Sequence, residues 1–303
     1  LPHLLFELNQ LVEDSDVVHA HTYKTSFAVN LLKRINAKKV VTTLHSYFVY
    51  EKMGANKGGI KTNLLKFVEH NVIMGSDALI SVDSRIAKWI SKVYNRKVDL
   101  ILKNSLYLND YEQYRNQEKE LIITCPRQLR PKNGVNIAIQ AMKDLKGKCD
   151  VSLHVIGEGP ERPFLEKLIR NLALSNVILH GSESREQTVS VIAKSKIVVI
   201  PSIPINGLEE ATSIAALEAM AVGTPVIASN IGGLKEIISH KSTGYLVKPN
   251  NPLDIAKAIE ELLLDNELYE AIRRNSQKYV REYHDWSKNK VFIENLYEKL
   301  LHS

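Results

Sequence analysis

Two glutamates stand on either side of a predicted helix start. Glu210 lies just before that start and Glu218 lies about two turns inside the helix, which Thr212 or Ser213 can cap. The helix follows a predicted strand, 197–200, so its free N–H groups and the positive end of its dipole point towards the carboxyl edge of a sheet. A phosphate group suits this position, and two carboxylates suit the hydroxyl groups of a sugar, which donate well to a charged acceptor.

The same two glutamates have a second interpretation, which their spacing alone favours. Glu210 can serve the helix dipole, and Glu218 can belong to a solvated helix face. Glu218 lies between Leu217 and Ala219 in a mostly apolar helix, however, where a fully solvated face is less favourable. Both interpretations stay open on the spacing.

Short apolar runs alternate with helical patterns along the chain. The runs are continuous, which is typical of strands buried on both faces of a parallel sheet. Strands are predicted at 16–20, 40–44, 78–82, 100–102, 121–124, 151–156, 177–179, 197–200, 226–228 and 245–247. Helices are predicted at 26–34, 63–74, 85–94, 135–142, 161–172, 213–221, 254–264 and 289–301. Repeated strand–helix units of this kind indicate an α/β protein with doubly wound sheets.

The predicted strands divide the chain unevenly. A polar stretch without an apolar period is typical of an inter-domain connection. We therefore predict a first domain at 1–112, a linker at 113–120, a second domain at 121–285 and a C-terminal helix, 286–303, that packs back on the first domain. The first domain has fewer strands than the second, and one strand–helix unit takes roughly 30 residues. We expect two or three such units to be missing ahead of Leu1.

The composition excludes several classes of protein. Of the 303 residues, 44% are hydrophobic and 24% are charged, which excludes collagen-like, coiled-coil and wholly disordered chains. No apolar run approaches the ~18 residues that indicate a transmembrane helix. Cys125 and Cys149 are too few for a disulfide framework or a zinc site. We expect both to be small buried side chains in a reducing compartment, so a cytoplasmic location is predicted. The net charge of +6 favours anionic partners.

Several motifs resemble those of one enzyme family. Glu210 and Glu218, with seven residues between them, are similar to the E-x7-E element of the retaining glycosyltransferases of family four, which have the GT-B fold. Further segments resemble the family's other motifs in the same order: 16–21 (DVVHAH), 43–45 (TLH), 155–161 (VIGEGPE), 231–238 (IGGLKEII), 243–247 (TGYLV) and Trp286. Each motif is weak alone, but their order and spacing cover nearly the whole chain. The resemblance implies two Rossmann-like domains that face a cleft, the N-terminal one incomplete.

The resemblance implies roles for the residues around the helix start. Glu210 is expected to contact the transferred sugar and Glu218 the ribose of the donor, while backbone amides near Thr212 and Ser213 hold the distal phosphate. The reaction implied is transfer of a sugar from a nucleoside-diphosphate sugar to an acceptor hydroxyl with retention of configuration. It needs no metal or other cofactor. The acceptor is a glycan, a lipid or a small molecule.

An arginine and a lysine after the first strand of the second domain neutralise the leaving diphosphate in this family. Arg127 and Lys132 keep the family's five-residue interval, and Arg130 is the alternative arginine. The loop departs from the family's G-R-L-x-P-x-K-G pattern, because Gln128 stands before the leucine and Asn133 before the glycine. Surface charge on a strand–helix loop is the other interpretation of these residues.

The resemblance also extends to one histidine and one glycine. His45 follows a buried strand and is expected at its C-terminal end, on the sugar and acceptor side of the site. A histidine with structural partners at a strand end is the alternative. Gly157, in the 155–161 turn, is expected on the donor side. That turn is a poor dinucleotide loop, because Arg162 stands where the third glycine would be.

Four lysines with glycines among them form a basic stretch: Lys52, Lys57, Lys61 and Lys66. The stretch fits contact with anionic lipid at the inner face of a membrane or with a phosphorylated acceptor, and it also fits a solvated loop. Nucleic acid is not favoured as a partner, because the positive charge is spread along the chain without a series of aromatic residues for stacking. Two rival functions stay open: a nucleotide-sugar epimerase of the same fold, and a catalytically silent protein that binds nucleotide sugars.

Overall fold

A computed structural model describes residues 12, 15–36, 38–49, 59–115, 117–205 and 209–303, with 34–36 described by their backbone alone. The chain divides into two units. Unit 1 comprises Leu1–Asn104 with Ser287–Ser303, and unit 2 comprises Ser105–Trp286. None of the helices in the described part of the chain is long and apolar enough to cross a membrane.

Unit 1 is built on a parallel sheet of four strands in the order β1-β2-β3-β4. The strands are β1 (Val17–Ala20), β2 (Lys39–Leu44), β3 (Ala78–Ser81) and β4 (Leu100–Ile101). Among the described residues, the helices that connect or follow them are α1 (Tyr23–Asn36), α2 (Ile60–Gly75) and α3 (Ser84–Tyr94). Strands β2 and β3 are buried from Val40 to Leu44 and from Ala78 to Ser81. Leu44, Leu79, Ile73 and Ile86 meet in one buried cluster.

Unit 2 is built on a parallel sheet of six strands in the order β10-β9-β8-β5-β6-β7. Its strands are β5 (Glu120–Pro126), β6 (Ser152–Ile156), β7 (Val177–Gly181), β8 (Ser195–Ile200), β9 (Val226–Ser229) and β10 (Tyr245–Val247). Strands β5 and β8 are neighbours although two strands lie between them in the chain. This is the doubly wound order, in which the chain changes direction across the sheet between those two strands.

Helices cover both faces of the second sheet. They are α4 (Val135–Leu145), α5 (Arg162–Asn171), α6 (Arg185–Lys194), α7 (Ile214–Val222), α8 (Leu234–Ile237), α9 (Pro252–Leu264) and α10 (Asn266–Tyr283). Along β8, Ile197 and Val199 belong to one buried cluster, whereas Val198 and Ile200 belong to another. The strand is therefore buried on both sides, as its continuous apolar sequence predicts. The last helix, α11 (Trp286–Leu301), lies in unit 1 from Ser287 onward.

The start of unit 2 differs from the sequence-based boundary. A 3₁₀ helix, Leu108–Tyr114, replaces part of the expected connection, and β5 already begins at Glu120. Leu108 and Tyr111 are buried in the same cluster as α7. The polar residues around these two side chains concealed the burial from the sequence pattern. The ends of the unit are also paired, because the Leu106 N–H donates to the carbonyl of His284 at 2.8 Å.

The two cysteines differ from each other. Cys125 is buried on β5, as expected, and burial raises the pKa of its thiol to about 12. Cys149 is only half-buried, contrary to expectation, because it follows the end of α4 at the edge of the core. Both thiols are free.

Candidate functional site

The residues singled out in unit 2 meet where β5 and β8 run side by side. Arg127 directly follows β5, and Ser202 and Glu210 follow β8. Both strands end at the same edge of the sheet because they are parallel. In doubly wound sheets, ligands bind at this edge, at the point where the strand order reverses.

Arg127 and Glu210 form a two-pronged ion pair at this edge. The Arg127 Nη1 donates to Glu210 Oε1 at 2.9 Å, and Nη2 donates to Oε2 at 2.5 Å. The two side chains are only 10% and 17% exposed. Because charge-assisted pairs with two parallel hydrogen bonds are strong and directional, Arg127 fixes the orientation of the Glu210 carboxylate.

Two neutral side chains complete this network. The Arg127 Nη2 also donates to Asn133 Oδ1 at 2.6 Å and to Ser202 Oγ at 3.1 Å, and the Ser202 hydroxyl donates to Glu210. The Asn133 amide in turn donates to the carbonyl of Gln128 at 2.7 Å. Asn133 is thus a structural partner of Arg127, although the sequence pattern treated it as an insertion before the glycine.

Lys132 lies on the same loop as Arg127 but differs in its surroundings. Its side chain is exposed and has no hydrogen bond or ion pair among the described residues. Its carbonyl accepts from the N–H of Ile203 at 2.9 Å, which ties the loop to the chain after β8. Arg130 is also exposed. The loop therefore presents one paired arginine and one unpaired ammonium group.

Helix α7 begins beside Arg127. The Ser213 hydroxyl caps it by accepting from the N–H of Ala216 at 3.4 Å, and the helix ends at Gly223, whose φ is 77°. The same hydroxyl lies 3.4 Å from the Arg127 Nη1. The N–H groups of the first turn have no acceptor inside the helix, so this end can bind an anion. Glu210 lies outside the helix and is held by Arg127, so it does not act merely as a first-turn acid for the dipole.

A glycine turn holds the loop that carries Glu210. The N–H of Gly233 donates to the carbonyl of Glu210 at 2.8 Å, and the N–H of Gly232 donates to Glu209 Oε2 at 2.9 Å. A Cβ atom at Gly233 would lie 2.1 Å from the carbonyl oxygen of Ala211. The backbone of Ala211 can lie this close to Gly233 only because glycine has no side chain. The next residue, Thr212, is half-buried.

Gly157 supports the Arg127 loop from the other side. Its φ is 147°, and a Cβ atom there would lie 2.2 Å from the carbonyl oxygen of Arg127. The next turn is tied to the same loop, because the N–H of Leu129 donates to the carbonyl of Glu158 at 3.0 Å. The structure therefore gives Gly157 a role in positioning Arg127.

Glu218 is buried, at 6% exposure, which rules out the interpretation as a solvated face residue. Its Oε1 accepts from the Tyr111 hydroxyl at 2.9 Å and from the Arg185 Nε at 3.0 Å. The Arg185 Nη2 donates to the Tyr111 hydroxyl, and these hydrogen bonds raise the pKa of Arg185. Burial, followed by the neighbouring Glu218 carboxylate, raises the pKa of Tyr111. Glu218 is thus held in one orientation by two partners that sequence reasoning missed.

His45 belongs to unit 1, where it follows β2. Its Nε2 lies 3.3 Å from the His21 Nδ1, and the ring of His21 stacks on that of His19 at 4.3 Å. His19 bridges the Tyr297 hydroxyl of α11 at 2.6 Å and the Thr43 hydroxyl at 2.7 Å. Burial lowers the pKa of His45 and His21, and burial with the two neighbouring rings lowers that of His19 to about 4. All three imidazoles are therefore neutral at pH 7.

The predicted site residues thus form three groups. Arg127, Lys132, Glu210, Thr212 and Ser213 lie around one sheet edge, and Gly157 backs their loop. Glu218 lies about one turn into α7 with its own partners, and His45 lies in unit 1. Three of the side chains that bind Arg127, Glu210 or Glu218 do not belong to any sequence motif: Ser202, Tyr111 and Arg185. The only available signal was their position, since Ser202 follows β8 and Arg185 opens a helix after β7.

Comparison with known proteins identifies the family. Residues 108–279 match the family described as glycosyl transferases group 1. The chain belongs to that family. Residues 1–102 of this glycosyltransferase match a second family model, glycosyltransferase family 4. The resemblance of the motifs to this enzyme family is therefore confirmed.

Two curated relatives span most of this group 1 glycosyltransferase. An uncharacterized glycosyltransferase of Methanocaldococcus jannaschii is 28% identical over 95% of this chain and 76% of its own length. The N-acetyl-alpha-D-glucosaminyl L-malate synthase of Bacillus anthracis is 26% identical over 89% of this chain and 71% of its own length.

A solved structure confirms the fold. Anabaena HepE, solved in complex with UDP, superposes with a TM-score of 0.80 at 20% identity, covering 96% of this chain and 81% of HepE. The glycosyltransferase thus has the GT-B fold, with one parallel α/β sheet in each of its two units.

Proposed function

We propose that the protein transfers a sugar from a nucleoside-diphosphate sugar to an acceptor hydroxyl with retention of anomeric configuration. The observation that carries this proposal is the sheet edge where Arg127, Glu210 and the N-terminus of α7 meet. It offers positive groups for a diphosphate beside a fixed carboxylate for sugar hydroxyls. The family membership supports the transferase reaction, and the UDP complex of HepE supports a nucleotide donor.

The donor is held mainly by unit 2 in this proposal. The amides near Thr212 and Ser213 hold the distal phosphate, and the exposed ammonium of Lys132 pairs with the diphosphate. Arg127 adds positive charge behind the phosphate and keeps Glu210 in place for the sugar. Glu218 accepts from the ribose hydroxyls through the oxygen lone pairs left free by Tyr111 and Arg185.

The reaction is driven by stabilisation of the leaving diphosphate. Lys132, Arg127 and the α7 amides favour the charge that develops as the glycosidic bond to the phosphate breaks. Glu210 is a poor covalent nucleophile, because both of its oxygens already accept from Arg127. We therefore propose attack by the acceptor on the same face, with the leaving phosphate taking the acceptor proton. His45 lines the acceptor side, and neither a metal nor a further cofactor takes part.

The acceptor is an unidentified glycan, lipid or small molecule. We propose a cytoplasmic location, which suits two free thiols in a reducing compartment.

A thermal-shift screen with a panel of nucleotide sugars tests the donor site. A bound donor at about 100 times its Kd stabilises the folded chain by roughly 2.7 kcal/mol. We expect stabilisation by at least one donor, and a 10- to 100-fold weaker apparent Kd, as an order of magnitude, for Lys132→Ala and Glu218→Ala. Lys167→Ala, an exposed lysine on α5, is the matched control and should respond as the wild type does.

Three results would contradict the proposal. If no nucleotide sugar stabilises the wild type, or if Lys132→Ala and Glu218→Ala respond as the wild type does, the donor site is wrong. If incubation with the donor alone gives an epimerised nucleotide sugar, the transferase reaction is wrong. Anomeric analysis of the product by NMR tests retention separately.

A further inference from the structure

Helix α2 turns a row of large apolar side chains towards solvent. Four of them are exposed: Ile60 (90%), Leu64 (61%), Phe67 (56%) and Met74 (49%). Their spacing of four, three and seven residues places them on one side of the helix. At 1.5 Å per residue the row is about 21 Å long. Asn71 lies on the same side between Phe67 and Met74, so the row is continuous from Ile60 to Phe67. Exposed apolar surface of this kind marks an interaction site.

The opposite side of α2 already attaches the helix to unit 1. Thr62, Glu69, Val72 and Ile73 are buried there. Glu69 accepts from the N–H of Val49 at 3.2 Å and from the Tyr94 hydroxyl at 2.6 Å. The exposed row is therefore additional to the packing that holds the helix in place.

The apolar row continues onto the neighbouring helix. The ring of Phe67 packs edge-on against Phe27 of α1, with their centroids 6.2 Å apart. A groove of about 250 Å³ between the two helices is lined by Phe27 and Leu31 together with the polar side chains of Asn30, Lys33 and Asn71. The surface is thus broader than a single row of side chains.

The exposed charges of α2 itself are positive, whereas Lys33, which lines the groove, is paired with Asp77 at 2.7 Å. Lys61 and Lys66 are exposed, and the helical period places them on the two flanks of the apolar row. The only acidic residue of α2 is Glu69, which is buried on the far side. Lys52 and Lys57 precede the helix in the sequence and lie outside the described residues. An apolar face flanked by lysines is typical of helices that lie in the interface of a membrane.

We propose that the exposed face of α2 docks on an anionic lipid surface. Ile60, Leu64, Phe67 and Met74 enter the boundary between headgroups and acyl chains. Lys61 and Lys66 extend their alkyl stems along that boundary and pair with lipid phosphates. A second copy of the chain is the less favourable occupant, because a two-fold contact across this face would bring like-charged lysines together. The inference goes beyond the proposed reaction and does not depend on it, since vesicle binding requires no donor.

Vesicle co-sedimentation of the 303-residue chain tests the proposal. We expect binding to vesicles made of equal parts of phosphatidylcholine and phosphatidylglycerol, and much weaker binding to phosphatidylcholine alone. Phe67→Ser should lower the partition coefficient about tenfold through lost apolar burial. Lys61→Gln should lower it about fivefold through one lost cation near the surface. High salt should weaken the binding of the wild type.

Matched controls come from unit 2. Leu264→Ser replaces a side chain that is 79% exposed, and Lys257→Gln replaces an exposed lysine of α9, so both should bind vesicles as the wild type does. Circular dichroism checks that each variant is folded, and Leu64→Gln replaces Phe67→Ser if the latter is not.

Several outcomes would overturn the proposal. Equal binding to neutral vesicles would exclude the lysines as the source of affinity. Unchanged binding by Phe67→Ser and Leu64→Gln would exclude the apolar face. A dimer in light scattering that Phe67→Ser dissociates, without vesicle binding, would assign the face to a second copy.

Discussion

His19 lies on β1, His21 and His45 follow β1 and β2 of unit 1, and the environment keeps all three neutral. Burial is the main cause of their lowered pKa values, and the rings also repel one another's charge. His19 is the most constrained, because Thr43 and Tyr297 occupy both of its ring nitrogens. Charging these rings must therefore work against the folded state of unit 1.

We predict that unit 1 loses stability as the pH falls from 6.5 towards 4. In that range the unfolded chain protonates His19, whereas the folded chain, with its pKa of about 4, does not. The stabilisation is complete above pH 6.5, and its loss on acidification amounts to roughly 3 kcal/mol at most for His19. Hydrogen exchange of the β1 and β2 amides at pH 7.5 and pH 5, corrected for the intrinsic exchange rates, measures this loss of stability.

Two variants show whether the pH dependence arises from this histidine cluster. His19→Gln should flatten the pH dependence, whereas His302→Gln, at an exposed position, should leave it unchanged. Equal protection of β1 and β2 at both pH values in the wild type would contradict the prediction.

At the scale of elements, the site depends on loops that approach one another backbone to backbone. The loop after β6 meets the loop after β5 at Gly157, and the loop after β5 meets the chain after β8 at Gly134, where a Cβ atom would lie 2.0 Å from the Pro201 carbonyl oxygen. These approaches place Arg127 within reach of Glu210. Side chains larger than hydrogen at the two glycines would have to push the loops apart.

We predict that Gly157→Ala destabilises unit 2 by about 2–4 kcal/mol, since the added methyl collides with the Arg127 carbonyl and the residue has a positive φ. Gly147→Ala is the control, because Gly147 also has a positive φ, of 78°, but nothing lies within 4 Å of its Cβ position. The control should cost about 1 kcal/mol from backbone strain alone. Thermal unfolding compares the two, and an equal loss in both variants would show that the collision has no effect.

At the scale of the whole molecule, each unit has its own sheet and its own buried clusters. Unit 2 contains two such clusters, one on each face of its sheet, and its first and last segments pair through Leu106 and His284. The 3₁₀ helix before β5 contributes Leu108 and Tyr111 to the cluster around α7. These features define a folding unit that begins before the boundary predicted at residue 112.

We predict that a fragment of residues 105–286 folds alone with one cooperative thermal transition. A fragment of residues 113–286 lacks the buried side chains of Leu108 and Tyr111, which lowers its free energy of unfolding by roughly 4 kcal/mol. Its melting temperature should therefore be at least about 10 °C lower. The variant Tyr111→Phe in the longer fragment keeps the ring and removes only the hydroxyl, with its hydrogen bonds to Glu218 and Arg185, so its loss of stability should be smaller. Equal melting temperatures for the two fragments would place the boundary where the sequence pattern had it.

The strands were the most predictable part of this protein. All ten predicted strands are present, and β10 has the predicted bounds, because a strand covered on both faces must be apolar along its length. Helix α10 was not predicted, although its buried residues Tyr269, Ile272, Ser276 and Val280 follow a helical period. Two of the four are a tyrosine and a serine, which weakens the apolar signal.

The sequence by itself determined the family, the α/β architecture and the residues of the two-glutamate motif, because caps, apolar runs and motif spacing are local properties of the chain. Only the tertiary structure decided which partners those residues have. Arg127 and Glu210 are 83 positions apart, and Tyr111 and Glu218 are 107 positions apart. Such pairs form because parallel strands end at one edge of a sheet and helices pack on its faces, and that closeness leaves no periodic trace in the sequence.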